Sequence, residues 1–126
     1  MDFKDPLSKL AIAITEAYAA KGFDINFNDA KDLAEYLLGF FGYNNEILDN
    51  ILNDYDREVF YQLEDIGILE SRQSNEQIRS IKYGNKEWRV NKWILRYDKV
   101  GEFALKSEER KKQQEDLESF YDEVFR

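Results

Sequence analysis

A chain of 126 residues, 43% of them hydrophobic and 15% aromatic, sits in the one-domain range with ample material for a core, which argues against global disorder. It contains no histidine and no cysteine, which excludes Ser-His-Asp and Cys-His nucleophile systems, disulfides and the usual His/Cys zinc sites. The net charge of -8 is segregated: residues 1–71 carry -10, residues 72–99 carry +5 and residues 100–126 carry -3. A basic patch therefore sits on an acidic body, an asymmetry that bears on partners more than on fold.

The first helix is predicted from Pro6 to about Lys21. Asp5 can cap it, proline suits the first helical position and Gly22 ends it. Leu7, Leu10, Ala11, Ile14, Ala17 and Tyr18 recur at helical spacing as its buried stripe. Phe23, Ile25 and Phe27 alternate with polar residues and read as a short strand. A second helix follows from about Asp29 to Phe41, capped by Asn28 or Asp29 and closed by Gly42. Its inner face is Ala30, Leu33, Ala34, Leu37, Leu38 and Phe41.

Helical spacing resumes at Asn44 or Asn45 with Ile47, Leu48, Ile51 and Leu52, and again with Val59, Phe60, Leu63 and Ile66 up to a stop at Gly67. This is one long helix or two; the caps in Asn53-Asp54-Tyr55-Asp56 favour a break, with Asp54 or Asp56 starting the second. Ile68-Leu69-Glu70 reads as a strand after the glycine stop, and Ser71 to Gln77 as a loop or frayed strand. Ile78–Tyr83 and Glu87–Leu95 read as a β-hairpin joined around Gly84-Asn85. Good helix formers run from Lys99 to Arg126, with no large apolar residue between Lys106 and Asp116. The expected core contains Leu10, Ile14, Leu33, Leu37, Phe60, Leu63, Ile66 and one of the two tryptophans.

Helix, short strand, helix, helix, strand, strand is the winged helix-turn-helix order. Asn28-Asp29-Ala30-Lys31-Asp32-Leu33-Ala34-Glu35-Tyr36-Leu37 resembles the second helix of that superfamily. Leu63-Glu64-Asp65-Ile66-Gly67-Ile68-Leu69-Glu70 is similar to the close of its recognition helix, where glycine turns the chain into the wing. The chain is also similar to small archaeal winged-helix-like proteins of unassigned activity that share the Glu87-Trp88-Arg89 layout. The resemblance spans roughly residues 7–97 and rests on hydrophobic and glycine positions, with extra length before Gly67. It implies an α+β, winged-helix-like domain over residues 1–97; the C-terminal helical extension over 98–126 departs from it.

Candidate nucleic-acid contacts on the basic hairpin are Arg72, Arg79, Lys82, Lys86, Arg89 and Lys92, placed where a wing would meet phosphates. Against them, the preceding helix displays Glu58, Glu64 and Asp65, and the hairpin cations can instead guard strand edges or pair with the chain's own acids. Strand alternation puts Trp88 and Trp93 on opposite faces, so they cannot form one cage. One is expected in the core and the other under the C-terminal helix. Asp24 to Glu35 places oxygens at EF-hand spacing, yet the sixth position holds Asp29 where glycine is needed. No calcium, zinc or cofactor site is expected. Carboxylate pairs such as Asp54 with Asp56, or Glu108 with Glu109, are read as caps and solvated faces.

The C-terminal stripe Leu117, Phe120, Tyr121, Val124 and Phe125 must pack on its own domain or meet a partner. No apolar run is long enough to span a membrane and the N-terminus has no export signal, so a soluble, cytoplasmic protein is expected. The sequence reads as a non-enzymatic module that binds a protein partner or a second copy of itself as a homodimer. The alternatives are a DNA-binding regulator that uses the hairpin at residues 72–99 and, more remotely, an enzyme with a carboxylate-based site.

Overall fold

The computed structural model describes residues 5–80 and 84–125. Lys82 lies outside them, as do the side chains of Arg79, Trp88, Tyr121 and Phe125. The protein is α+β: helices α1 (Pro6–Ala20), α2 (Phe27–Phe41), α3 (Asp54–Asp65) and α4 (Tyr97–Phe125) surround an antiparallel sheet of β1 (Glu46–Leu48), β2 (Leu69–Ser80) and β3 (Gly84–Leu95). The strand order is β1-β3-β2.

Asp5 caps α1 as expected, accepting from the Ser8 N–H at 2.6 Å, and Pro6 occupies the first turn. The helix buries more than the one predicted stripe. Ile12, Ala13 and Glu16 are also buried, because α2 covers one side of α1 and α4 covers another. The expected core residues are inside, with Leu33 half-buried at the margin and Trp93 as the buried tryptophan.

Phe60 sits at the centre of an aromatic cluster. Tyr36, Phe40 and Trp93 meet it edge-on, with ring centroids 6.4, 5.4 and 5.3 Å away, and Phe41 stacks on it at 6.1 Å. Three elements converge there, which ties the sheet to the helices. The Tyr36 hydroxyl donates to Asp56 and so joins α2 to α3. Burial first, and that hydrogen bond second, raise the phenol above the usual tyrosine range and keep it a neutral donor.

Three expectations are corrected. Residues 23–26 form no strand: Phe23 and Phe27 are exposed, and Asn26 caps α2 by accepting from Asn28 at 2.7 Å, two residues before the predicted cap. The alternation of Phe23, Ile25 and Phe27 has no sheet to pack against. The helical pattern at 45–52 is β1 and a single 3-10 turn, Asp49–Ile51. Glu46, Ile47 and Leu48 pair with Ile94, Trp93 and Lys92, so long-range sheet bonding wins over local periodicity. Finally, the strand expected at 68–70 runs on as β2, so that residues 69–77 pair with 87–95 in place of the expected 78–83. Leu69 opposite Leu95 buries both side chains, which fixes the register at the base of the hairpin.

Asn53 caps α3, one residue ahead of Asp54 and three ahead of Asp56, the two predicted candidates. Its side chain accepts from the Asp56 N–H at 2.8 Å, and Asp56 reaches back to the Asn53 N–H at 3.2 Å. We expect Asn53→Ala to cost about 1 kcal/mol in urea unfolding, the usual worth of such a cap. Gly67, at φ 87°, makes the left-handed turn from α3 into β2 that a side chain would strain.

The first three turns of α4 belong to the domain, where Val100, Ala104 and Ser107 are buried against α1. The boundary expected at residue 98 therefore falls inside packed structure, and the projecting part begins beyond Arg110, which still meets Glu16 on α1. Among the described residues no helix is long and apolar enough to cross a membrane.

Candidate interaction surfaces

The hairpin is anchored by Asp49. This carboxylate, positioned by the 3-10 turn, accepts from Trp93 Nε1 at 2.8 Å and from Arg57 Nε at 3.1 and 3.3 Å. Arg57 Nη2 also donates to the Asp49 carbonyl at 3.3 Å, and Nη1 lies 3.4 Å from Asp54. A second tie joins α3 to β2, where the Ser71 N–H and hydroxyl both donate to Glu64, at 2.9 and 2.6 Å. Trp93, Tyr61, Asp49, Ser71, Gln73 and Asn91 border a cleft of about 360 Å³ beneath the hairpin. Among the described residues that border it, the one carboxylate is that of Asp49, committed to Trp93 and Arg57.

Twelve-residue strands carry the hairpin well past this anchor, since a strand rises about 3.3 Å per residue. The register assigns its charges to faces. Arg72 and Lys92 are opposite each other, on the face that also carries Glu46, Glu70 and Glu76. Lys92 pairs with Glu76 and with Glu46, the latter at 3.4 Å, and the Glu76 hydrogen bond is the main reason its ammonium titrates above the usual lysine value. Arg72 lies 3.2 Å from Glu70.

Two of the six candidate nucleic-acid contacts are thus engaged with the protein's own acids. Lys86 is exposed on β3. Arg89 is exposed on the opposite face, across from Asn75 and next along that face to Asn91. The expected separation of the tryptophan positions also holds: Trp93 shares a face with Ser71, and Trp88 falls in register with Glu76 on the other.

Arg96, at the junction of β3 and α4, bonds Asp98 at 2.9 and 3.1 Å and approaches Glu70 at 3.7 Å. Its guanidinium draws the Asp98 carboxyl down to about 2. In Arg96→Ala we expect the Asp98 pKa, read by NMR titration of its carboxyl carbon, to return toward 3.8. Because the folded-state value is depressed, this pair supports the fold above pH 3.8 and stops doing so as pH falls through about 2.

The acidic stretch from Asp24 to Glu35 is not a single loop. Asp32 and Glu35 are exposed on α2, and the Asn26 oxygen is committed to its cap. Among the described residues no group of three or more acidic side chains could hold a metal ion.

The second surface is the outer half of α4. Beyond Glu108 every described side chain is exposed, including Leu117 at 53%, Phe120 at 56% and Val124 at 53%. Among the described residues of the stripe, Leu117, Phe120 and Val124 do not return to their own core. At the root of this arm, Arg110 meets the buried carboxylate of Glu16 on α1, a contact that sequence patterning did not reveal. Beside it lies a groove of about 320 Å³ bordered by Ile12, Thr15, Phe27, Ser107, Lys111 and Gln114. A signal was present in the sequence: Ile12 and Ala13 lie off the first helix's stripe and require a second covering element.

These features define a small α+β domain with two projecting elements, a polar hairpin and a helical arm. The chain belongs to a family of unknown function, DUF6015, which matches it over residues 6–126. No curated protein matches the chain.

Proposed function

We propose that the protein is a binding module, not an enzyme, and that it acts through protein contact, chiefly self-association by the α4 arm. The observation that carries this reading is the exposed row of Leu117, Phe120 and Val124 on a helix that has already left its domain. Most of a helix's stability in water comes from packing an apolar face, so an apolar row at its end favours a covered state. A two-fold dimer is the simplest such state. Light scattering should find a dimer for the whole chain and a folded monomer after truncation following Ser107. A monomeric whole chain would refute self-association, and an unfolded truncation would place the arm within the domain's own stability.

A second reading, duplex DNA held by the hairpin, is favoured by exposed Arg89 among the amides of Asn75 and Asn91. It also draws on the winged-helix resemblance of α3, Gly67 and the strands that follow. Exposed Glu58 and Asp65 on α3, and the commitment of Arg57 to Asp49, count against a recognition helix in a major groove. In a mobility-shift titration we expect nothing tighter than micromolar near physiological salt. Sequence-selective nanomolar binding, steeply salt-dependent and weakened by Arg89→Ala, would make DNA the better reading.

A further inference from the structure

We infer that two copies exchange arms: the acidic tip of one α4 lies antiparallel along the basic root of the other, and the reverse. This rests on the self-association proposed above and specifies its surface. The tip offers Leu117, Phe120 and Val124.

The root that a tip meets must come from another chain. Root and tip are parts of one continuous helix, so Lys111 and Phe120 of a single copy stand about 13 Å apart along its axis, at 1.5 Å per residue. Charge selects a second copy and sets its direction. The root segment 106–112 carries Lys106, Arg110, Lys111 and Lys112 against Glu108 and Glu109, a net of +2. The tip segment 115–123 carries Glu115, Asp116, Glu118, Asp122 and Glu123, a net of -5. Parallel arms would set acidic tip against acidic tip, whereas antiparallel arms set each acidic tip against a basic root.

The two-fold axis then falls between Glu115 and Asp116. Leu117 comes level with Gln114 of the second copy, Phe120 with its Lys111 and Val124 with its Ser107. At 100° per residue, Glu115 and Asp116 point away from the side that carries Gln114 and Leu117, so the two acidic midpoints do not face each other. Lys111 and Glu118 share the other flank of that seam and come within a turn of each other across it.

The chain has no cysteine, so single cysteines can map the register cleanly. In the exchanged dimer, Gln114→Cys is about 5 Å along the axis from its counterpart, and Val124→Cys about 26 Å from its own. A short bis-maleimide should therefore link Gln114→Cys into covalent dimers and leave Val124→Cys single. A dimer in light scattering that links through Val124→Cys would overturn the exchange while leaving self-association standing; a monomer would refute both. As an independent measure, Lys111→Glu or Glu118→Lys should each weaken the dimer about tenfold, and the double exchange should restore it. If the double variant is no tighter than the singles, the proposed register is wrong.

Discussion

Phe60→Ala should lower the unfolding free energy by about 3–5 kcal/mol, the range for removing a buried aromatic ring. Phe60 is fully buried and touches rings from α2 and β3 at once, so the surroundings cannot close the void without moving two elements. Edge-to-face pairs of this kind add to what area alone gives. Urea unfolding followed by far-UV circular dichroism reads the loss directly. Tyr61→Ala provides the contrast: its ring also meets Trp93, at 5.5 Å, but is half exposed, and we expect about 1 kcal/mol. Equal losses for the two variants would show that Phe60 does not hold the cluster together.

Asp49→Ala is expected to cost about 2–3 kcal/mol, because it leaves the Trp93 N–H and the Arg57 guanidinium without their acceptor in a half-buried place. Asp49→Asn separates the two contributions. Its amide oxygen can still accept from Trp93 while the charge opposite Arg57 is gone, so it should lose roughly half as much. Tryptophan fluorescence and urea unfolding together test this. A loss in Asp49→Asn as large as in Asp49→Ala would mean that the ion pair, and not the indole bond, seats the hairpin.

The helices were legible wherever local chemistry decides them. Asp5 and Pro6 mark one start; Gly22, Gly42 and Gly67 mark three ends, each at positive φ. The same logic misplaced β1, because Ile47, Leu48, Ile51 and Leu52 satisfy helical spacing and only the distant partner Trp93 makes 46–48 a strand. Register failed for a related reason: Ser71 to Gln77 is too polar to announce a strand, and its pairing is set at the base by Leu69 and Leu95. The faces of β3 were readable from alternation, and the exposure of the α4 arm from its polar middle. The groove at the arm's root was not readable. It needs α1, α2 and α4 placed in space, and its defining contact, Glu16 with Arg110, joins residues 94 positions apart.

The shortness of β1 has a consequence for how these molecules avoid one another. Its pairing ends at Leu48 opposite Lys92, so from Asn91 outward β3 has an open edge on that side, and β2 is open along its whole outer side among the described residues. Rows of unpaired amides and carbonyls are templates for strand addition, and two such hairpins meeting side by side could zip into a growing ribbon. Residues 72–92 carry six basic side chains against two acidic ones, so every copy presents an edge of the same sign. That excess charge protects the hairpin from its own kind whether or not any ligand ever touches it.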